Sequence, residues 1–534
     1  LPALDWTETE MARNSAASPS IMARVASAVD SMVAAVSPHR AVRRAQARNV
    51  LAYYESAKPD TQRKFYTDRK GPNTQVDQGA VALRTQVRHL EQNHDITKGA
   101  LDTLVVNTIG PNGIGVEFQP RRADGSIHAG YAAALAEGWR DFCKRPEVTW
   151  THTMASCQRL AARTWFRDGE TFAQRLLGPV PLLDHGTVVP MSIELMEPDL
   201  LPMDYNDEAK GIRQSIQRNA WGRVTNYMVY KTHPGETYSI PSGQNMKAIP
   251  ADRMVHLADR TRIGQGRGVT RFATVIGRIL DIKDYEESER IAAKVAAMLT
   301  AYVKRNAPAD EGYTPNTDEN GNPIPRQISL GAGTIIDTLA VGEEIGLIDS
   351  KRPNPNLVTF RHGQLRAFAA GISASFSSIS KSYEGTYSAQ RQELVEQFVH
   401  YACLSDDFIG QWLSPIVADF IRVAHMSRAI PRPADVVEST ADDVLYIAAS
   451  MPWIDPAKEA LAMLTLVRAG FASEVEMIRR RGGNPDSVLA QIKEWRSKCE
   501  AAGLSFDSDA ALTEGLKAAA MSDGTPNQGN QNGA

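Results

Sequence analysis

Gly264-Gln-Gly266-Arg-Gly268 is the first arrangement in the chain with chemistry to offer. A glycine cluster that opens a helix can cradle a phosphate on bare backbone N–H groups. The third glycine of a GxGxxG motif is out of register here, however, and no GxxxxGK[ST] occurs anywhere in the sequence. The segment reads better as a tight turn launching the helix behind it. Glu286-Glu287-x-Glu289 could supply paired carboxylates, yet on a charged amphipathic helix these side chains read as an edge rather than an acid–base pair. Tyr383, Glu384 and Tyr387 could act on a substrate, but no His or Cys stands close to them in sequence. His400 and Cys403 share a helical face at i, i+3, whereas a metal needs three or four convergent ligands, so packing is the expected role. HExxH and GxSxG are absent. The expectation is a protein that is not an enzyme, with no catalytic residues, no metal and no cofactor.

Bulk properties narrow the class. A chain of 534 residues is too long for one ordinary core, and 43% apolar with 23% charged residues is normal for a globular protein. No apolar run is long enough to span a bilayer, so no membrane association is expected. Asp5, Glu8 and Glu10 stand where a secretory signal would carry basic residues. Leu1 is not a methionine, which suggests that the true N-terminus lies further upstream. Cys143, Cys157, Cys403 and Cys499 are scattered without metal-type spacing and read as reduced thiols of a protein made in the cytoplasm. A net charge of −3 argues against tight wrapping of nucleic acid, which requires many phosphate-neutralising Lys and Arg.

The elements that must position these residues follow from periodicity. Residues 1–38 read as a flexible or weakly helical arm, with Ile21, Val25, Val29 and Val33 four apart. A basic stretch follows from Arg40 to Lys70; it is either a solvated or subunit-contacting face or a direct nucleic-acid contact. Helices are expected over 80–107, broken near Asn93, and around Ala132–Cys143. Thr171–Leu177, Val188–Leu195, Arg223–Tyr230 and Met254–Leu257 read as strands in a region, 153–260, of short apolar runs and turns. From Thr270 to Arg305 the three- and four-residue recurrence of Ile276, Ile279, Ile291, Val295, Leu299 and Tyr302 predicts one helix, roughly 50 Å long at 1.5 Å per residue. A Pro/Gly/Asn-rich insert from Asn306 leads into strand-like pieces at Gln327–Leu330, Thr334–Leu339 and Glu344–Ile348. Thr359–Ile379 is helical again, rich in Ala, Gly and Ser that allow close helix approach. A polar loop at 380–388 precedes a second long helix, Ala389–His425, which Pro415 should kink. A helical unit over 456–501 and a Gly/Asn/Gln/Ser tail, expected to be disordered, complete an α+β, mainly helical chain.

Three segments, in order, resemble the lambda family of phage portal proteins. The first is Gly264-Gln-Gly-Arg-Gly-Val-Thr-Arg-Phe with the helix carrying Leu280, Tyr285 and Glu289. The second runs from Leu339-Ala-Val-Gly-Glu-Glu through Arg352-Pro-Asn-Pro-Asn to Leu365-Arg-Ala-Phe-Ala-Ala-Gly-Ile. It ends in Lys381-Ser-Tyr-Glu-Gly-Thr-Tyr-Ser-Ala-Gln-Arg, similar to the family's Tyr-Ser-Ser-x-Arg signature. The third comprises Trp453-Ile-Asp-Pro-Ala-Lys-Glu, Ala469-Gly-Phe-Ala-Ser-Glu-Val-Glu and Arg481-Gly-Gly-Asn-Pro. Weaker similarity lies in Leu83–Asn107, Ile109–Gln119 and Glu197-Pro-Asp. Phe376-Ser-Ser-Ile-Ser departs from the family's apolar-Ser-Tyr-Glu pattern.

The resemblance implies a portal fold with wing, stem, clip and crown, assembled as a ring, typically of twelve subunits, around a central channel at one capsid vertex. It implies a wing over 39–269 and 389–455, a stem helix over 270–305 and its return over 358–379. A clip would then occupy 306–357, a tunnel loop 380–388, a helical crown 456–517 and a disordered tail 518–534. Double-stranded DNA would pass through during packaging and ejection. The implied partners are the terminase large subunit, then a head–tail adaptor, and the major capsid protein. The ring would be assembled in the host cytoplasm and reside in the virion. A mildly acidic wall repels the phosphate backbone and keeps a duplex centred. Glu286, Glu287 and Glu289 are therefore the expected channel-lining residues of the stem, and Lys381, Ser382, Tyr383 and Glu384 the expected DNA contacts of the loop. The competing readings are another phage structural assembly protein and, further off, a DNA-acting enzyme.

Overall fold

A computed structural model describes residues 70–236, 245–297, 301–305, 317–321, 343–347, 356–383, 385–451 and 455–504. The expectations for the arm 1–38, for the basic stretch up to 69, for Gln327–Leu330 and Thr334–Leu339, for Glu384 and for the tail lie outside the described residues. The chain divides into Leu1–Gly71 and Pro72–Ala534, and the elements below belong to the second unit.

Two helices open it, α1 (Pro72–Asn93) and α2 (Asp95–Ile109), separated at Asn93 as the sequence indicates. His94 caps α2 by accepting from the Thr97 N–H. Strand β1 (Gly115–Phe118) and α3 (Ala129–Phe142) follow. Next comes α4 (Met154–Asp168), a helix within the stretch read from sequence as short runs and turns. Its buried face includes Met154, Cys157, Ala161, Trp165 and Phe166, but also Gln158, whose amide holds both Ile114 backbone groups. Gly169 ends α4 in the left-handed region (φ +90°) and sends the chain straight into β2 (Glu170–Leu177).

Two antiparallel sheets share the next segment. One has the order β3 (Met191–Met196), β2, β8 (Met254–Ala258). The other runs β4 (Ile212–Arg213), β5 (Ile216–Arg218), β6 (Val224–Tyr230), β7 (Met246–Pro250). Phe172, Met196, Leu201, Ile216, Tyr227, Val229, Ile249 and Met254 form the apolar cluster shared by these strands.

The expected helix over Thr270–Arg305 is shorter: α5 spans Ile276–Ala297, about 33 Å at 1.5 Å per residue. Residues 271–275 are a turn, and Ala301–Arg305 form β9, paired with β10 (Glu343–Leu347). Thr359–Ile379 likewise divides into α6 (Leu357–Gly371) and a five-residue α7 (Phe376–Ser380), with Ser373 at φ +56° between them. Phe272 and Phe368 rings lie 6.2 Å apart, Tyr285 and Phe360 rings 4.8 Å apart, so the two helices run antiparallel. A Cβ on Gly371 would fall on Val275, the close approach the small residues permit.

The second long helix is α8 (Tyr387–Phe408), a π-turn (Ile409–Leu413) and α9 (Ser414–Met426). The Ser414 N–H donates to the Ile409 carbonyl, so the bend attributed to Pro415 is spread over one wide turn. Trp412, Leu413, Ile416 and Phe420 from this segment enter the main core. There Phe420 meets Trp139 and Phe142 at ring distances of 5.1 and 5.6 Å. Strand β11 (Val444–Ile447) pairs with β1, joining chain ends far apart in sequence. The helical unit expected over 456–501 is three helices, α10 (Pro456–Arg468), α11 (Glu474–Arg480) and α12 (Pro485–Ala502). Among the described residues no helix is long and apolar enough to cross a membrane.

Candidate functional site

The polar loop between α7 and α8 is held at both ends. Ser375 caps α7, and the Ser380 hydroxyl donates back to the Phe376 carbonyl at 2.8 Å. Lys381 takes a left-handed conformation (φ +56°), turning the chain out of the helix, and the Ser382 N–H donates to the Ser380 hydroxyl at 3.2 Å. On the far side Thr386 caps α8, and the Gln390 amide donates to the Tyr383 carbonyl. The ends of the loop are held while two of its side chains face solvent: Lys381 is exposed and Tyr383 is 62% exposed. A point cation beside an exposed aromatic ring can meet a phosphate and a sugar or base at once. Glu384, the fourth residue expected here, lies outside the described residues.

The glutamates of α5 expected to line a channel do not act as a unit. Glu286 pairs with Arg361 of α6 at 2.5 Å, tying the two antiparallel helices together. Glu287 points elsewhere and meets Arg290 one turn on, at 3.6 Å and well exposed. Glu289 is half-buried and has a partner of its own. Successive side chains on a helix diverge, so neighbours such as Glu286 and Glu287 cannot converge on one atom. The acids of α5 (Asp281, Asp284, Glu286, Glu287, Glu289) are nearly balanced by Arg278, Lys283, Arg290 and Lys294. Any acidic character of this helix therefore rests on a small excess.

A buried charge lattice built on the glycine turn, not evident from local sequence pattern, is the most extensive among the described residues. Arg267 is wholly buried, and its Nε donates to both oxygens of Glu170 at 2.9 and 3.0 Å. Its Nη1 donates to the Leu201 and Gln214 carbonyls at 3.1 and 2.9 Å, and its guanidinium lies over the Phe172 ring. Glu170 also accepts from the Gly268 N–H (2.9 Å), from Arg84 (3.2 Å) and from His256 Nε2 (3.1 Å). Burial opposes its charge, but Arg267 and His256 overcome that and hold the carboxyl well below the usual carboxylate range. His256 is buried against Phe172, and burial pushes it down to about 4, so the ring is neutral and its Nε2–H faces Glu170.

From there ion pairs spread outward. Arg88 meets Asp168 and Asp199, Arg167 meets Asp168 and Glu91, and Arg163 meets Glu91 and Asp102. These pairs tie α1, α2 and α4 to one another and to the Glu197-Pro-Asp turn, and Arg84–Glu170 ties α1 to β2. The glycines make the lattice possible, because a Cβ on Gly268 would fall on the Gly169 carbonyl. The turn thus cradles a carboxylate of its own chain rather than a phosphate. Glu197, Asp199 and His233 lie close enough to hold a cation, but Arg84, Arg88 and Arg167 already neutralise those carboxylates. All four cysteines are free; burial pushes the Cys143 and Cys157 thiols up to about 12, while Cys403 is exposed. His400 is half-buried, and its Nε2 lies 3.4 Å from Arg271 Nη1.

The described residues form an α+β, mainly helical protein with a helix-and-hairpin excursion and a capped polar loop. Residues 58–404 match the family model described as phage portal protein, lambda family. The chain belongs to the lambda family of phage portal proteins, and its role in the capsid is that of a portal. It is 24% identical over 426 residues to the probable portal protein of Halomonas phage phiHAP-1, covering 77% of this chain and 79% of that protein. It is 20% identical over 324 residues to portal protein B of Escherichia phage lambda, covering 56% and 60%. Among solved structures, the neck of a native gene transfer agent particle computed with C12 symmetry is similar at a TM-score of 0.42 and 10% identity, covering 76% and 94%.

Proposed function

We propose that copies of this chain form a closed ring, of twelve subunits, whose central channel passes double-stranded DNA into and out of the capsid. In this reading α5 and α6 form the stem, and the clip opens at β9 rather than after Arg305. The segment 380–388 is the tunnel loop, residues 39–269 and 389–455 form the wing, and 456–517 the crown. The clip docks the terminase large subunit during packaging and a head–tail adaptor afterwards, while the wing meets the major capsid protein. The role is structural, with ATP hydrolysis supplied by the terminase. The loop carries the reading: its two ends are capped while Lys381 and Tyr383 are exposed.

Lys381→Ala and Tyr383→Ala are expected to leave rings intact by electron microscopy while reducing DNA packaged or retained per particle. Substituted rings that package and retain DNA normally would remove the loop from the mechanism. A purified protein that forms no ring with a central hole would remove the portal reading of this chain.

A further inference from the structure

Three arginines gather beside the glycine turn without any acid among them. Arg213 on β4 donates to the Thr74 hydroxyl at 3.1 Å, in the first turn of α1. Arg218 on β5 lies over Gly266, where a Cβ would overlap its guanidinium. Arg260, just beyond β8, donates to the Gln411 side chain at 3.1 Å and lies 3.3 Å from His256 Nδ1. The hydroxyl of buried Tyr227 sits between the last two: it is 3.4 Å from His256 Nδ1 and feels the charges of both Arg218 and Arg260. Every partner just named is neutral. The nearby carboxylates are already engaged, Glu170 by Arg267 and Arg84, Asp259 by Arg271 at 3.0 Å.

Like charges held together without a counter-charge cost free energy, and Arg218 records it: burial and the neighbouring arginines lower its pKa. Such a cluster persists where something brings the missing anion. The first turn of α1 adds the positive end of a 22-residue helix with no acid in that turn, next to Arg213. Upstream in the sequence, residues 40–70 hold nine Lys and Arg against three acids, and that run stops two residues before α1 begins. One carboxylate would satisfy one guanidinium. A cluster of three, preceded by a long basic run, matches a ligand with repeated negative charges.

We infer that Arg213, Arg218 and Arg260, with the N-terminus of α1, form a binding site for the phosphate backbone of DNA, separate from the 380–388 loop. The contact reads charge rather than sequence, as phosphate contacts do. It gives the chain a second hold on DNA, outside the loop, and it stands whether or not the loop touches the duplex.

The test uses full-length assembled protein and a fluorescently labelled 20-base-pair duplex, titrated by anisotropy at several salt concentrations. The Arg213→Gln/Arg218→Gln/Arg260→Gln protein should bind at least about tenfold more weakly, equally for duplexes of unrelated sequence. Its log K against log salt slope should be shallower by about two to three. The corresponding triple Lys protein keeps the charge and should retain most of the affinity and slope. Thermal melting and electron microscopy of each variant separate loss of folding or assembly from loss of binding. Unchanged affinity and slope in the Gln protein would overturn the site. So would a Lys protein as weak as the Gln protein while both remain folded rings. A Gln protein that falls apart into subunits with unaltered duplex affinity would also overturn it, assigning the arginines to a carboxylate of a neighbouring copy. Lys381→Ala, measured alongside, reports on the loop separately.

Discussion

At the scale of single residues, the buried pairing of Arg267 and Arg84 with Glu170 holds elements in register. Arg267 and Glu170 are both inaccessible to solvent, and each has further hydrogen bonds that replace lost water. Two charges moved from water to a protein interior are tolerated only with such saturation. Removing one partner is therefore worse than removing both. Arg267→Met should cost about 3–5 kcal/mol, because Glu170 keeps only Arg84, neutral His256 and one backbone N–H. The double variant Arg267→Met/Glu170→Gln should recover part of that loss. Urea unfolding of the three proteins checks it; a double variant no more stable than Arg267→Met alone would show that packing over Phe172 matters more than charge. The lattice was hidden in the sequence for a physical reason. Glu170 and Arg267 are 97 residues apart, and nothing in local periodicity reports which of many Arg and Glu will be buried. The glycine motif is its visible trace: the spacing predicts a turn but not the arginine that the turn delivers.

At the scale of elements, periodicity succeeded where one face is apolar and failed where two geometries share a pattern. The break between α1 and α2, strand β6 and helix α3 stand where spacing puts them. Helix α5 is shorter than spacing predicts because Tyr302 continues the helical recurrence while Ala301–Arg305 also suit a strand, and pairing with β10 decides for the strand. Helix α4 was missed because its buried face includes Gln158, Thr164 and Asp168, polar residues that only the folded neighbours satisfy. Pro415 was recognised as a disturbance, yet its setting is mild. It falls in the first turn of α9, where a missing N–H is cheap, and its carbonyl accepts from Arg175 at 3.1 Å. Pro415→Ala should accordingly change stability by less than about 1 kcal/mol. Trp412→Ala, emptying a fully buried site in the same bend, should cost about 3–5 kcal/mol. Denaturant midpoints of the two variants test the contrast; equal losses would mean that Pro415 itself fixes the bend.

At the scale of the whole molecule, the C-terminal helices are the part that a single chain leaves unfinished. None of α10 is buried, only Pro485 of α12, and only Met477 of α11. Leu461 and Phe471 are 64% and 81% exposed, and Leu489 and Trp495 on α12 are 65% and 59% exposed. An ion pair ties this unit to the body, Arg479 to Glu117 at 2.6 and 3.2 Å. Helices of 13 and 18 residues are marginal in water without a packed face. In the unassembled chain their amides should exchange with solvent far faster than those of α9, which buries Ile416, Val417, Phe420 and Ile421. In a ring, neighbouring copies can cover the apolar stripe, and protection of Pro456–Arg468 and Pro485–Ala502 should rise by at least about tenfold, a gain of roughly 1.4 kcal/mol in opening free energy. Hydrogen exchange with mass-spectrometric readout, comparing subunits with rings, measures this directly. Equal exchange in both states would mean that assembly proceeds through other surfaces alone, leaving the C-terminal stripe for a different partner.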